Sequence, residues 1–140
     1  MNSIPASELI LNKDGSIYHL KLKPEHIAHT ILLVGDPDRV SMIVAHFDSV
    51  EFSISNREFT TATGLYRTKR ISVISTGIGT DNIDIVLNEL DALVNIDFQT
   101  RCVKKKLTQL NLIRIGTSGA LQEAIALDSF VLSTFALATD

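Results

Sequence analysis

The chain has 140 residues, 45% of them hydrophobic and 21% charged, with a formal net charge of -3. That is enough for one domain with a real core and excludes a broad nucleic-acid surface; the run Lys104-Lys105-Lys106 is too short to make one and reads as a solvated face. No apolar run approaches the roughly 20 residues of a membrane span, no basic-then-apolar leader is visible, and Cys102 is the only cysteine, so the expectation is a cytoplasmic protein without disulfides, without a cysteine-based metal cluster, and with no nucleic-acid or membrane partner.

Residues 1–16 are polar, contain a Lys-Asp-Gly turn and read as a loosely held arm. "YHLKL" (18–22) alternates, and Pro24 opens "PEHIAHT" as a helical turn with proline in its first position. "TILLV" (30–34) reads as a buried strand by its length and its continuous apolar character. A short helix over 38–46 buries Val40, Ile43 and Val44. "VEFSIS" (50–55) alternates as a strand, and "EFTTATGLYRTKRISVIST" reads as a hairpin turning near Thr68-Lys69. Gly77 and Gly79 then open the clearest helix, from Asp81 to about Val94, where Ile83, Val86, Leu87, Leu90, Leu93 and Val94 form one apolar stripe. A polar, basic connector (95–108) leads to the strand "LNLIRI" and the turn "GTSGAL". "DSFVLSTFALATD" (128–140) reads as a long strand without a stop signal. The order of elements predicts an α/β fold with a central sheet, and the hairpin leaves room for a mixed one.

Two of these strands end in the same grammar. "ILLVGDPDRV" places Gly35 after an apolar run and Arg39 one turn into the next helix. "LIRIGTSGAL" places Arg114 near a strand end, then Gly116, Thr117, Ser118 and Gly119. Ligands of open α/β sheets bind at the carboxyl ends of strands. There, glycine lets the backbone approach closely, while guanidiniums and hydroxyls suit a tetrahedral oxyanion such as phosphate. The plainer alternative pairs Arg39 with Asp36 or Asp38, and Arg114 with a core carboxylate. "STGIGTDN" has the look of a dinucleotide fingerprint, but Asn82 stands where the third glycine belongs, and Asp81 and Asp84 repel a pyrophosphate. No P-loop is present, Ser118 lacks a G-x-S-x-G setting, and His19, His26, His29 and His46 show no metal-ligand spacing.

The blocks "YHLKL", "VGDPDRV", "NREFTT", "ISTGIG" with its helix, and "RIGTSGAL" occur in the order and spacing of one family. Over most of residues 18–135 the chain resembles the N-terminal half of the nucleoside phosphorylases, and "NREFTT" followed by "STGIG" resembles the uridine phosphorylase branch. The resemblance implies a three-layer αβα sandwich with a central mixed sheet, incomplete at the C-terminus. Residues 17–140 would be the N-terminal part of a single domain, in a longer chain, a proteolysed piece or a truncated product. It implies a pentosyltransferase reaction, in which inorganic phosphate converts a ribonucleoside to free base and ribose 1-phosphate. By the same resemblance, Gly35, Arg39, Arg114 and Thr117 hold phosphate. Arg57 reaches phosphate, and His19 the ribose 5′-hydroxyl, from a neighbouring subunit of a homo-oligomer (a dimer or hexamer-of-dimers type). A monovalent cation would sit near Glu58, Ile78 and Asn82, where Asp81-Asn82 replaces the usual Pro-Ser; no other cofactor is implied. The alternative is a truncated, non-catalytic relative acting as an oligomerisation or anion-binding module, and a third reading is a nucleosidase using water. The family's base and ribose grips lie in a half with no counterpart here, so the 140 residues alone are expected to be inactive.

Overall fold

The computed structural model describes residues 3–137. A five-stranded sheet runs in the order β2-β3-β4-β1-β7, with β1 Thr30–Val34, β2 Ser49–Asn56, β3 Phe59–Tyr66, β4 Lys69–Ser75 and β7 Asn111–Arg114. β2, β3 and β4 form antiparallel hairpins, while β1 pairs in parallel with β4 on one side and β7 on the other, which makes the sheet mixed. The hairpin between β3 and β4 turns at Arg67-Thr68, both at positive φ (45° and 69°), the backbone that matches the twist of two-residue hairpins. Helix α1 spans Pro37–Val44 and helix α2 spans Thr80–Asn95.

Alternation along the strands builds two cores. Ile31 and Leu33 of β1, Phe59 of β3 and Ile74 of β4 join Val86, Leu90 and Leu93 of α2 on one face. Val34, Ala62 and Val73 meet Val40 of α1 on the other, with Leu32, Ile43 and Val44 packed at the margin. The result is the expected three-layer αβα arrangement, with one helix covering each face. In α2 the buried stripe is narrower than the sequence pattern. Leu87 is 40% exposed, and Glu89 occupies a place on the buried face.

Several local expectations differ. The described part of the N-terminal segment is fastened rather than loose. Arg101 donates to the carbonyls of Ile4, Pro5 and Leu9, and the Ile4 amide donates back to the Arg101 carbonyl at 2.8 Å. Leu9 and Ser16 of this segment are buried. The alternating segment "YHLKL" puts Leu20 and Leu22 inside through a turn: Lys21 sits at φ 53° and its amide returns to the Ile17 carbonyl. The connector contains a two-stranded ribbon, β5 Ile96–Asp97 with β6 Cys102–Val103. Residues 128–137 form no strand, because no neighbouring ladder among the described residues pairs with them, and extended backbone without a partner is not a strand. The last three residues of that expected strand lie outside the described residues.

His26 closes a short 3-10 turn (Pro24–His26) and stacks on Phe52, ring centroids 3.8 Å apart. Its Nδ1 accepts the Lys23 amide at 3.1 Å, a bond only the neutral ring can accept in this way. Burial holds its pKa below the ordinary 6.5. The unfolded chain therefore binds a proton here before the folded one does, so this contribution to stability is full above 6.5 and falls as pH drops below it. Urea unfolding of wild type and His26→Phe from about pH 7.5 to 5 should show the wild-type midpoint falling more steeply. Parallel slopes would remove His26 from the pH response.

Candidate active site

The parallel pairing sets the site. The register Val34 to Ser75 and Leu33 to Arg114 ends β1, β4 and β7 at one level. The chain leaves each strand through a glycine-bearing turn: Gly35, then Gly77, then Gly116. Side-to-side bonds continue past the strand ends, since the Thr76 amide donates to the Val34 carbonyl at 2.8 Å and the Ile115 amide to the Leu33 carbonyl at 2.9 Å. β1 connects through α1 toward β2 and its hairpins, and β4 connects through α2 to the opposite side of β1. The chain thus moves in opposite directions from the sheet centre, which opens a crevice at these three ends.

The crevice is a cleft of about 540 Å³ whose lining includes Gly35, Arg39, Glu58, Arg114, Gly116 and Thr117. Arg114 lies across both glycines: a Cβ on Gly35 would meet its Nη2 at 3.2 Å, and one on Gly116 would meet its Nη1 at 3.3 Å. Its Nη1 also donates to the Ile115 carbonyl at 2.5 Å, holding the head back over its own strand end. Arg39 donates from Nη2 to Thr117 Oγ1 at 3.4 Å, a long contact that links the two turns. The acidic turn between them has a different task from ion pairing. Asp36 caps α1 by accepting the Asp38 amide at 2.9 Å, and Pro37 occupies the first turn, where its missing N–H costs nothing. Among the described residues neither Arg39 nor Arg114 forms a salt bridge; the pairs present are His19 with Glu89 and Arg70 with Glu51. Both guanidiniums therefore enter the cleft without a carboxylate partner, and the plainer reading of the two arginines does not describe this arrangement.

The Gly77 turn forms the third wall. Gly77 has φ 68°, a backbone that favours glycine, and a Cβ there would fall 2.6 Å from Asn82 Nδ2 and 3.1 Å from Glu58 Cγ, side chains that would have to shift. Glu58, Ile78 and Asn82, the expected cation ligands, do meet in the cleft wall. Asn82 already donates Nδ2 to the Ile78 carbonyl at 3.3 Å, and Glu58 is the one residue of the three that carries a carboxylate. No group of three or more His, Cys, Asp or Glu side chains suited to a metal ion occurs among the described residues. The trio fits a monovalent cation only with oxygens supplied from elsewhere. A second cleft of about 520 Å³ shares Gly77, Ile78 and Arg114 and continues along α2 past Ile83 and Leu87, which accounts for the exposure of Leu87.

Arg57 and His19 do not line this cleft. They sit together on another patch: Arg57 lies over the Tyr18 ring at 5.9 Å, and Tyr18 meets the His19 ring edge-on at 4.8 Å. Arg57 begins the two-residue turn between β2 and β3 at φ 56°, a left-handed backbone that costs a non-glycine residue about 1 kcal/mol. Ser118 and Gly119 are likewise absent from the cleft lining. Sequence reasoning missed Glu89. Its carboxylate accepts His19 Nδ1 at 2.7 Å and the amides of His19 and Leu20 at 2.9 and 2.8 Å. The available signal was a charged residue among Val86, Leu90 and Leu93 on the apolar face of α2.

Residues 29–140 match the family model of the Phosphorylase superfamily. A uridine phosphorylase of Thermococcus kodakarensis is 34% identical over 125 residues, covering 89% of this chain and 40% of the relative. A DeoD-type purine nucleoside phosphorylase of Alkaliphilus metalliredigens is 40% identical over 116 residues, covering 82% and 44%. Among solved structures, a Trypanosoma brucei nucleoside phosphorylase whose crystal structure shows uridine phosphorylase activity superposes with a TM-score of 0.77 at 37% identity, covering 84% of this chain and 41% of that one. The chain thus spans about 40% of the length of the relatives it matches. A family match over most of the sequence, and a sheet with its helices superposable on a solved member, establish that this chain belongs to the Phosphorylase superfamily, among the nucleoside phosphorylases.

Proposed function

We propose that this chain supplies the phosphate-binding part of a uridine-phosphorylase-like enzyme, which cleaves a ribonucleoside with inorganic phosphate to give free base and ribose 1-phosphate. The observation that carries the reading is the pair of guanidiniums, Arg39 and Arg114, without a salt-bridge partner among the described residues, over a floor of Gly35 and Gly116. In the proposed reaction a phosphate oxygen attacks C1′, the C1′–N bond breaks, and its electrons leave with the base. The nucleophile is already an anion, so the protein's task is to hold it in line and balance its charge. Arg114 and Arg39 do that from two sides, Thr117 adds a hydroxyl, and Gly35 keeps the floor low enough for contact. The adjoining cleft along α2 gives room for the nucleoside beside the phosphate. A water-using nucleosidase has no use for two such cations, which favours phosphorolysis.

Arg57 and His19 are proposed to serve a neighbouring subunit, phosphate for Arg57 and ribose for His19. Support comes from the patch they share with Tyr18, outside the lining of their own chain's cleft. A monovalent cation at Glu58, Ile78 and Asn82 would then also draw oxygens from across that interface. The chain spans about 40% of its relatives' length. We accordingly propose that the 140 residues alone bind phosphate without turning over uridine, and that they do turn it over when joined to a family-like C-terminal portion.

Isothermal titration with phosphate tests the cradle directly. Arg114→Ala should weaken phosphate by about 10- to 150-fold, the equivalent of losing one charge-assisted contact of about 1.5–3 kcal/mol. Gly35→Ala should also weaken it, by displacing the Arg114 head while the fold persists. Unchanged affinity in both variants sinks the cradle. Light scattering should find at least dimers; a strictly monomeric, fully folded protein would remove the cross-subunit roles of Arg57 and His19.

A further inference from the structure

Glu89 is an expensive residue in its position. It lies on the apolar face of α2 among Val86, Leu90 and Leu93, and its side chain is only 12% exposed. A buried carboxylate is tolerated when its lone pairs are filled. Here three donors fill them, and all three belong to one turn: the His19 amide at 2.9 Å, the Leu20 amide at 2.8 Å and the His19 ring Nδ1 at 2.7 Å. From the other side Asn56 Nδ2 donates to the His19 carbonyl at 2.7 Å, so the backbone of this residue is gripped on both faces. The edge-on contact with Tyr18, at 80° between ring planes, limits rotation of the imidazole.

An ionised carboxylate can only accept, so the Nδ1 facing Glu89 must carry the proton. In a neutral ring that leaves Nε2 bare. We propose that Glu89 is a positioning residue, which holds His19 in the Nδ1–H form so that Nε2 points away from α2 as an acceptor for a sugar hydroxyl. The sugar end of this statement rests on the ribose role proposed for His19 above, while the tautomer and its dependence on Glu89 do not. The arrangement follows the orienting logic seen wherever a carboxylate fixes which nitrogen of a histidine is free. Packing alone would be served by an apolar residue at 89.

Long-range proton–nitrogen correlation spectra of the 140-residue chain, taken where the ring is neutral, should show Nδ1 protonated and Nε2 bare at His19. Glu89→Gln offers the turn one oxygen in place of two, and should shift the ring toward a mixture of tautomers. Glu89→Asp keeps the charge and should retain more of the Nδ1–H form than Glu89→Gln. An Nε2–H ring in the wild-type chain overturns the proposal whatever the variants do. So does an unchanged ring signal in Glu89→Gln with native amide dispersion. Comparing uridine with 5′-deoxyuridine as substrates of the chain joined to a family-like C-terminal portion separates the two ideas. If the tautomer follows Glu89 but no discrimination for the 5′-hydroxyl exists, the positioning stands and the sugar role of His19 falls.

Discussion

Pairing a single strand in parallel on both edges has a geometric consequence on which the rest of this molecule depends. β1 is bonded to β4 and β7 in registers that end all three strands at one level, so the three turns that follow are neighbours by necessity. Parallel strands cannot be joined by tight turns, so each connection must cross a face of the sheet, and α1 and α2 do so on opposite sides. The crevice, the two cores and the covering helices are one solution to that constraint. Gly35, Gly77 and Gly116 stand where three backbones and an arginine head must share a small volume.

Charge completes what geometry begins. The chain is net negative, yet the cleft holds two guanidiniums that no carboxylate neutralises among the described residues. Two unit charges about 4 Å apart near a protein surface interact by about 4 kcal/mol, a cost between like charges and a gain with an anion between them. Asp36 lines the same cleft, yet its carboxylate caps α1 and forms no salt bridge with Arg39 among the described residues. The same economy appears at Glu89, where a carboxylate is held inside by the donors of a distant turn.

Much of this was legible in the residues. The continuous run Thr30–Val34 was long enough for one buried strand and nothing else, and Gly35 and Arg39 on either side of Asp-Pro-Asp marked the strand end as a place where an anion could sit. That Arg114 and Arg39 share a cleft was also readable, because two strands with matching ends belong at one edge of a parallel sheet. Three features were not. The alternation of "YHLKL" satisfies a turn as well as a strand when both leucines need burial, and only the carboxylate of Glu89, far along the chain, decides between them. Residues 128–137 have strand-forming composition, but composition does not supply a partner. The N-terminal segment looked free because its anchor, Arg101, lies in a connector without any pattern of its own.

The same parallel pairing governs how the molecule comes together in time. The hairpins of β2, β3 and β4 join residues close in sequence, whereas Thr30 meets Asn111 only after most of the chain has been drawn in. Contacts of that span carry the largest loop-closure cost and form late in folding. Arg114 is therefore delivered to Gly35 by the slowest class of event in the sheet, and the cleft exists only once that event is complete. Any anion that binds there binds the finished state alone, and pulls the equilibrium toward it by mass action. The phosphate proposed for this cleft would then act on the chain first as a folding ligand.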